Sequence, residues 1–274
     1  MTKLLFFLMI LLFLTSCATK TIESTPTEII TSPKNTSAPT EADIPLPTNT
    51  LEPSNTPTNT TVPPTFTSTP GPILVFRDDF EGSLGEGWSW IREDNRRWSI
   101  TSMSGFLEIT AQFGSFGNVQ PPKNLIVQAS PSSNFFVETF LKFKPFSNYQ
   151  FAGLVIYWDD KNVIQFGRAY CGNQINCVGT GIYLDNIANG KYIGSNFGFN
   201  TQREDQVFLR LQRTQDDYTA YYSEDGNNWM IVGQVSTGQD GRSGQPPKIG
   251  LVAAQAYTKI ANAYFDYFQI VALP

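Results

Sequence analysis

The sequence predicts an all-β domain over residues 74–274, folded as a two-sheet antiparallel jelly-roll sandwich. About a dozen short runs rich in β-branched and aromatic residues recur along this segment, which holds all 5 Trp and all 11 Tyr. Turn-forming clusters such as Asp159-Asp160-Lys161 and Glu224-Asp225-Gly226 separate the runs. No stretch shows sustained helical periodicity, so the two-sheet sandwich is the architecture that accommodates this many strands.

The strand assignments rest on alternation and on spacing. Val207, Leu209 and Leu211 alternate with more polar neighbours, which predicts a strand with one buried face. The predicted strands are 73–79, 98–101, 106–110, 124–128, 135–143, 150–158, 162–169, 181–184, 207–213, 218–223, 229–234, 249–254 and 263–271.

Residues 1–16 are predicted to form a lipoprotein signal peptide. Lys3 precedes an apolar run from Leu4 to Leu14, which is too short for a membrane-spanning helix of about 20 residues. The adjoining Leu14-Thr15-Ser16-Cys17 resembles the lipobox of bacterial lipoproteins, in which the cysteine receives a diacylglyceryl group. The resemblance implies an exported chain that begins at Cys17 and is anchored to the outer face of a membrane through lipid on that residue. The alternative is an ordinary secretory signal followed by a chance cysteine.

Residues 17–73 are predicted to form a disordered tether. In residues 18–73, Thr, Pro and Ser make up 32 of 56 positions, and Phe66 is the only aromatic residue. Such a segment cannot bury enough apolar surface to offset the entropy of ordering it.

Composition also excludes several classes of function. The chain has no histidine, which removes Ser-His-Asp and Cys-His catalysis and histidine metal sites. Its net charge is −5, and no basic run follows the N-terminus. Nucleic acid is therefore not expected as a partner.

The order and spacing of several phrases resemble the concanavalin A-like lectin/glucanase superfamily. The resemblance is closest to the β-sandwich domain appended to β-xylosidases and to related stand-alone domains, and it covers nearly all of residues 74–274. The phrases are FRDDFEG at 76–82, GWSWIRE at 87–93, AGLVIYWDD at 152–160, YTAYYSEDG at 218–226, KIGL at 248–251 and YFDYF at 264–268.

The resemblance makes glycoside hydrolysis an alternative to be examined. Laminarinase-type members carry Glu-x-Asp-x-x-Glu or a close variant on one strand, which brings the two catalytic carboxyl groups together. No such cluster occurs here, because Asp79 and Glu81 lack a third acid at Ser83 or Leu84. No catalytic residue is therefore assigned, although acids from separate strands could still converge.

The same resemblance implies a structural calcium site. In the superfamily, a calcium ion often lies where the first and last strands meet. The matching positions here are Asp79 and Asp266, with a carbonyl near Gly105. Two carboxylates with carbonyls and water would satisfy the six to eight oxygens that calcium prefers. The alternative is that Asp79 caps a turn and Asp266 faces solvent.

Carbohydrate binding requires flat aromatic faces together with planar polar groups. The candidates are Trp88, Trp90, Arg92, Tyr157, Trp158, Gln165, Arg168, Arg210 and Tyr221. We expect the binding residues to lie on the concave sheet and the loops beside it. Core packing is the alternative role for each aromatic residue taken singly.

Cys171 and Cys177 close a short loop, and a disulfide between them is expected in an exported protein.

The sequence as a whole predicts a membrane-anchored, surface-displayed module that binds a polysaccharide or glycoconjugate without catalysis. The alternatives are a glycoside hydrolase or lyase with an unrecognised carboxylate pair, and an adhesion module that binds protein.

Overall fold

The computed structural model describes residues 70–172, 178–193, 197–238, 241–242 and 244–274, and their regular structure is entirely β-strand. Within this part of the chain, no helix is long and apolar enough to cross a membrane. The strands are β1 (Ile73–Asp78), β2 (Ser89–Ile91), β3 (Trp98–Ser99), β4 (Leu107–Ala111), β5 (Leu125–Ala129), β6 (Phe135–Lys142), β7 (Phe151–Asp159), β8 (Asn162–Cys171), β9 (Gly179–Ala188), β10 (Lys191–Tyr192), β11 (Phe197–Asn200), β12 (Gln206–Thr214), β13 (Asp217–Ser223), β14 (Met230–Ser236), β15 (Lys248–Ala254) and β16 (Ala261–Ala272).

Antiparallel pairing joins these strands into two sheets. Sheet A has the order β14-β13-β12-β6-β16-β4-β3, with β1 also paired to β16. Sheet B has the order β10-β9-β8-β7-β15-β5-β2, with β11 also paired to β9. The first and last strands therefore lie side by side in sheet A, and the predicted all-β two-sheet sandwich is confirmed.

The main hydrophobic core lies between the two sheets. Val207, Leu209 and Leu211 of β12 are almost fully buried, while the residues between them are more exposed, as the alternation predicts. Sheet B contributes alternate residues such as Ile164 and Phe166 to the same core. Burial of these side chains is the principal favourable contribution to folding.

Sheet B differs from sheet A because its outer face is also largely buried. A second cluster covers this face and includes Leu125, Val155, Val163 and Val252. Phe116 joins the cluster from the connection between β4 and β5. We call residues 112–121 of this connection the roof. Double burial explains why β7 reads as an almost continuous apolar run rather than an alternating one.

Two glycines allow β7 and β8 to approach closely beneath this outer face. Gly153 and Gly167 lie opposite each other in the register. A Cβ atom on Gly153 would lie 2.2 Å from the carbonyl oxygen of Phe166, and one on Gly167 would lie 2.1 Å from that of Ala152. Any larger residue would push the strands apart, because these contacts are with backbone.

Candidate functional site

Three polar side chains meet on the outer face of sheet B, and we call them the polar triad: Gln165, Asp185 and Gln255. Gln165 in β8 lies opposite Asp185 in β9, and Gln255 directly follows β15. Nε2 of Gln165 donates a hydrogen bond to Oδ2 of Asp185 at 2.7 Å. Nε2 of Gln255 donates to Oε1 of Gln165 at 3.4 Å. Both ends of the Gln165 amide are used, which fixes its orientation towards Asp185.

The carboxyl group of Asp185 is the most perturbed member of the triad. Burial raises its pKa to about 6, and the hydrogen bond from Gln165 only partly offsets this effect. The residue nevertheless keeps some solvent exposure. Its Oδ2 is paired with Gln165, whereas no hydrogen bond reaches Oδ1 from the described residues. Oδ1 is therefore the carboxylate oxygen that could accept a hydrogen bond from a ligand hydroxyl.

Four partly exposed aromatic residues lie beside the triad or contact one another next to it, and we call them the aromatic rim: Phe113, Tyr149, Tyr192 and Tyr257. Each exposes between 40% and 48% of its surface. Edge-to-face contacts join Phe113 to Tyr257 at 5.2 Å and Tyr149 to Tyr257 at 5.7 Å between ring centroids. Such contacts fix the ring planes and leave apolar faces available to a ligand.

Tyr192 links the aromatic rim to the polar triad. Its hydroxyl group interacts with Gln255, and burial followed by the charge of Asp185 raises the pKa of that hydroxyl group. The residue as a whole remains 47% exposed. Tyr192 therefore presents ring surface outwards while its hydroxyl interacts with the triad.

Three loops bring these residues together from distant parts of the sequence. The backbone N–H of Gln255 donates to the carbonyl oxygen of Gly114 at 3.0 Å, which attaches the β15–β16 loop to the roof. Nε2 of Gln150 donates to the carbonyl oxygen of Lys259 at 2.7 Å, which attaches the β6–β7 loop to the β15–β16 loop. The hydroxyl of Tyr257 donates to Oγ of Ser115 at 2.9 Å. The loops are thus held to one another by hydrogen bonds.

Two site residues have a backbone conformation that side chains rarely adopt. Tyr149 has a φ of 72° and Gln255 a φ of 62°. A non-glycine residue in the left-handed region costs about 1 kcal/mol or more, and such residues concentrate at functional sites. The surrounding hydrogen bonds maintain this conformation at the triad and at the rim.

Of the nine predicted binding residues, Gln165 lies in the triad, while Tyr157 and Arg92 lie further along the same face. Tyr157 is only 9% exposed, and its hydroxyl donates to Oδ1 of Asp160 at 3.0 Å. Arg92 forms a salt bridge with Asp160 at 2.9 Å and donates from Nε to the carbonyl oxygen of Pro122. These two residues brace the chain that follows the roof.

Three predicted tryptophans, Trp88, Trp90 and Trp158, pack against the core between the sheets. Nε1 of Trp88 donates to Oδ2 of Asp78 at 2.8 Å, which helps to shape the turn after β1. Trp90 packs against Trp98 with 4.7 Å between ring centroids. The three rings are partly buried, and their faces contribute to packing of the core.

Arg168 is fully buried and has the same parity as the core residues of β8. It donates to Oγ1 of Thr201 at 3.1 Å and to the carbonyl oxygen of Gln206 at 2.9 Å. Burial lowers its pKa to about 10, and the charges of nearby acids, Asp205 foremost, partly oppose this effect. Arg168 therefore holds the chain that enters β12 and is not accessible to a ligand.

Arg210 and Tyr221 lie opposite each other on the outer face of sheet A. Arg210 pairs with Glu138 at 2.6 Å, and its guanidinium group lies 3.9 Å from the centroid of the Trp229 ring. Glu138 also accepts a hydrogen bond from the hydroxyl of Tyr267 at 2.6 Å. The polar groups of this face are thus largely paired with one another.

Residues 77–271 match the family model described as the β-xylosidase C-terminal concanavalin A-like domain. The chain belongs to this family. A xylan 1,3-beta-xylosidase from a Vibrio species is 24% identical over 212 residues, which are 73% of this chain and 38% of that protein.

Solved structures with the fold of this β-xylosidase C-terminal domain family include two bacterial proteins. The GH43 BlXynB protein of Bacillus licheniformis superposes with a TM-score of 0.62 at 22% identity, over 72% of this chain and 39% of that one. The xylan beta-1,4-xylosidase of Bacillus halodurans C-125 gives 0.61 at 21% identity, over 75% and 40%. This chain therefore spans about two-fifths of the length of these relatives, and the likeness to them shows the fold.

Sequence reasoning missed most of the site in this family member, including Asp185, Gln255 and the whole aromatic rim. Asp185 lies one residue beyond the predicted strand 181–184, although its alternation with Tyr183 could have extended that strand. No local pattern distinguishes Gln255 or Tyr257 from ordinary loop residues. Their roles depend on contacts between loops that are far apart in sequence.

The predicted calcium ligands lie in one region, but their fit to the ion is incomplete. The charges of Asp79 and Glu81 contribute, after burial, to a raised pKa of Asp266. Both carboxylate oxygens of Asp79 already accept hydrogen bonds from Arg77. Among the described residues, no group of three acidic, histidine or cysteine side chains is arranged to hold a metal. Calcium binding through Asp79, Asp266 and the Gly105 carbonyl stays a prediction.

Two cysteine predictions depend on residues that lie outside the described ranges. Cys17, with the signal peptide and the tether up to residue 69, is one of them. Cys177 is the other, so the Cys171–Cys177 disulfide also stays a prediction.

Proposed function

We propose that this chain is a surface-displayed module that binds a polysaccharide or glycoconjugate at the polar triad and aromatic rim. The observation that carries this proposal is the poorly solvated carboxylate of Asp185, whose Oδ1 accepts no hydrogen bond from the described residues, beside the partly exposed aromatic rim. Sugar rings present apolar C–H faces and hydroxyl donors, which match these two features.

Each part of the site has a distinct role in this proposal. Tyr257 and Tyr192 offer faces for sugar rings, and Asp185 accepts a hydroxyl hydrogen bond through Oδ1. Gln165 and Gln255 hold the carboxylate in place through their mutual hydrogen bonds. Because these contacts already exist without a sugar, little ordering entropy is lost on binding.

Membership of the β-xylosidase C-terminal domain family supports a carbohydrate ligand and makes xylan the first one to test. Two of the matched proteins named above are described as xylosidases, and this chain corresponds to about two-fifths of their length. Xylan binding would complement the enzymes with which such domains occur. We therefore extend to this chain an association with xylan-type glycans.

The site favours binding over hydrolysis. Most glycosidases use two carboxyl groups that flank the scissile bond. No second carboxyl group among the described residues contributes to the pKa of Asp185. A hydrolase or lyase is the alternative, and release of reducing ends or unsaturated products from a polysaccharide panel would support it.

We further propose that lipid on Cys17 anchors the chain to the outer face of a membrane and that the tether displays the domain away from it. At most about 3.1 Å per residue, an extended tether could span roughly 170 Å. Cells fed a labelled fatty acid should label the wild-type chain but not Cys17→Ala. Equal labelling of both would contradict the anchor.

The experiment for the binding function is a titration of the purified chain with xylotetraose and xylohexaose. Tyr257→Ala should weaken binding about tenfold or more, because it removes a stacking face. Tyr221→Ala is the matched control, since it removes the same side chain from the outer face of sheet A. Equal loss in both variants would contradict the site. A glycan array without binding, together with a co-purifying protein, would favour the adhesion alternative.

A further inference from the structure

We propose that the polar triad selects neutral glycans over glycans that carry a carboxylate, and that Asp185 determines this selectivity. The inference rests on the proposed function, because it describes the ligand of that same site. It concerns the charge of the bound sugar, which the binding proposal leaves open.

Asp185 has no counter-ion among the described residues. None of the basic side chains in the described ranges contributes to its pKa or donates a hydrogen bond to it. Among the described residues, its one hydrogen-bond donor is the neutral amide of Gln165. The aromatic rim adds only phenylalanine and tyrosine side chains.

Glu138 on sheet A shows what a compensated carboxylate looks like in the same domain. It faces the guanidinium group of Arg210 at 2.6 Å and also accepts from the hydroxyl of Tyr267. The charge of Glu138 is therefore balanced within the protein. Asp185 lacks this balance, so its charge must be satisfied by the ligand or by water.

Oδ1 of Asp185, which the Gln165 amide does not use, determines which ligand groups can bind beside it. An ionised carboxylate is an acceptor only, and a sugar hydroxyl supplies the donor that it lacks. A uronate would place a second negative charge beside it, and like charges in a poorly solvated site repel strongly. Neither amide of the triad adds a positive charge that could offset this repulsion. The site therefore favours an uncharged sugar.

The experiment uses two oligosaccharides that differ only in charge. One is xylotriose carrying a single 4-O-methylglucuronate branch, and the other is the same molecule with its carboxyl group reduced to a primary alcohol. Calorimetric titration of the full chain at pH 7.5 should give a Kd at least about tenfold larger for the acidic probe. Equal affinities, both abolished by Tyr257→Ala, would overturn the inference while leaving the binding function intact.

Asp185→Asn identifies the residue responsible. The amide keeps the shape of the carboxyl group and removes its charge, so the ratio of the two Kd values should fall below about threefold, even if both probes bind more weakly. Tyr221→Ala on sheet A should keep the wild-type ratio. A ratio that Asp185→Asn leaves unchanged would overturn the role of Asp185. Failure of both probes to bind the wild-type chain would overturn the proposed function, and this inference with it.

Discussion

The outer faces of the two sheets handle polar groups in opposite ways. On the outer face of sheet A, Arg210, Glu138 and Gln269 lie in one cross-strand row, and their side chains pair with one another. On sheet B, the roof covers an apolar face, and Oδ1 of Asp185 accepts no hydrogen bond from the part of the chain that the structure describes. Arg210, Glu138 and Gln269 thus satisfy one another, whereas Asp185 keeps a carboxylate oxygen that its hydrogen bond to Gln165 does not use. Binding capacity therefore depends on which groups are left unpaired.

The largest expected effect concerns the roof. Phe116 is fully buried on the outer face of sheet B, where Phe116→Ala should lower the free energy of unfolding by about 3–5 kcal/mol. Phe208, partly exposed on the outer face of sheet A, is the matched residue, and Phe208→Ala should cost about 1 kcal/mol. Urea unfolding of both variants measures the difference, and equal costs would show that the two faces are covered alike.

The next effect concerns the acid of sheet A. Glu138→Ala should destabilise the fold by about 2–4 kcal/mol, because it leaves Arg210 and Tyr267 without their shared partner. Glu108 lies on the same face and forms no hydrogen bond or ion pair with the described residues. Glu108→Ala should change stability by no more than about 0.5 kcal/mol. A similar loss in both variants would deny the network its role.

Removal of the Asp185 charge on sheet B should raise the free energy of unfolding, whereas removal of Glu138 lowers it. The pKa of Asp185 is raised to about 6 in the folded state, so the folded chain binds the proton more tightly than the unfolded chain does. This group therefore lowers stability progressively as the pH rises from about 4 to about 6.

Asp185→Asn should remove that pH dependence and raise the free energy of unfolding above pH 6. The gain is at most about 3 kcal/mol for a shift of two pKa units, and less because the carboxyl group keeps some solvent contact. Unfolding measured at pH 4, 5, 6 and 7.5 tests this, with Glu108→Gln as the control. Destabilisation of Asp185→Asn at pH 7.5 would contradict the account of an uncompensated carboxylate.

The smallest expected effect comes from calcium. If the ion binds through Asp79 and Asp266, a chelator should lower the melting temperature by about 2–4 °C per kcal/mol of lost binding energy. Asp266→Asn should abolish the response to chelator. A melting temperature that chelator and added calcium leave unchanged would refute the site.

The fold was predictable from the sequence to a greater extent than the site was. Regular alternation in β12 and the turn at Asp159-Asp160-Lys161 correctly indicated strands and their order. The short strands β2, β10 and β11 were missed, because two to four residues carry too little periodicity to detect.

The site depends on register and on contacts between loops, which local patterns do not encode. Gln165 was predicted to bind a ligand, but its partner Asp185 follows from the pairing of β8 with β9. A bulge between Tyr157 and Asp159 shifts the register of the β7–β8 pairing. Loop length alone therefore does not show which residues of the two strands lie opposite each other. Arg168 shows the converse, since a polar residue with the right chemistry is fully buried between the sheets.

Nuclear magnetic resonance can locate the ligand, which we expect on the outer face of sheet B. The side-chain amide signals of Gln165 and Gln255 report on the triad, and the indole N–H of Trp229 reports on sheet A. Titration with xylohexaose should shift the two glutamine signals and leave the Trp229 signal in place. A shift of Trp229 with unchanged glutamine signals would place the ligand on the wrong sheet and contradict the account.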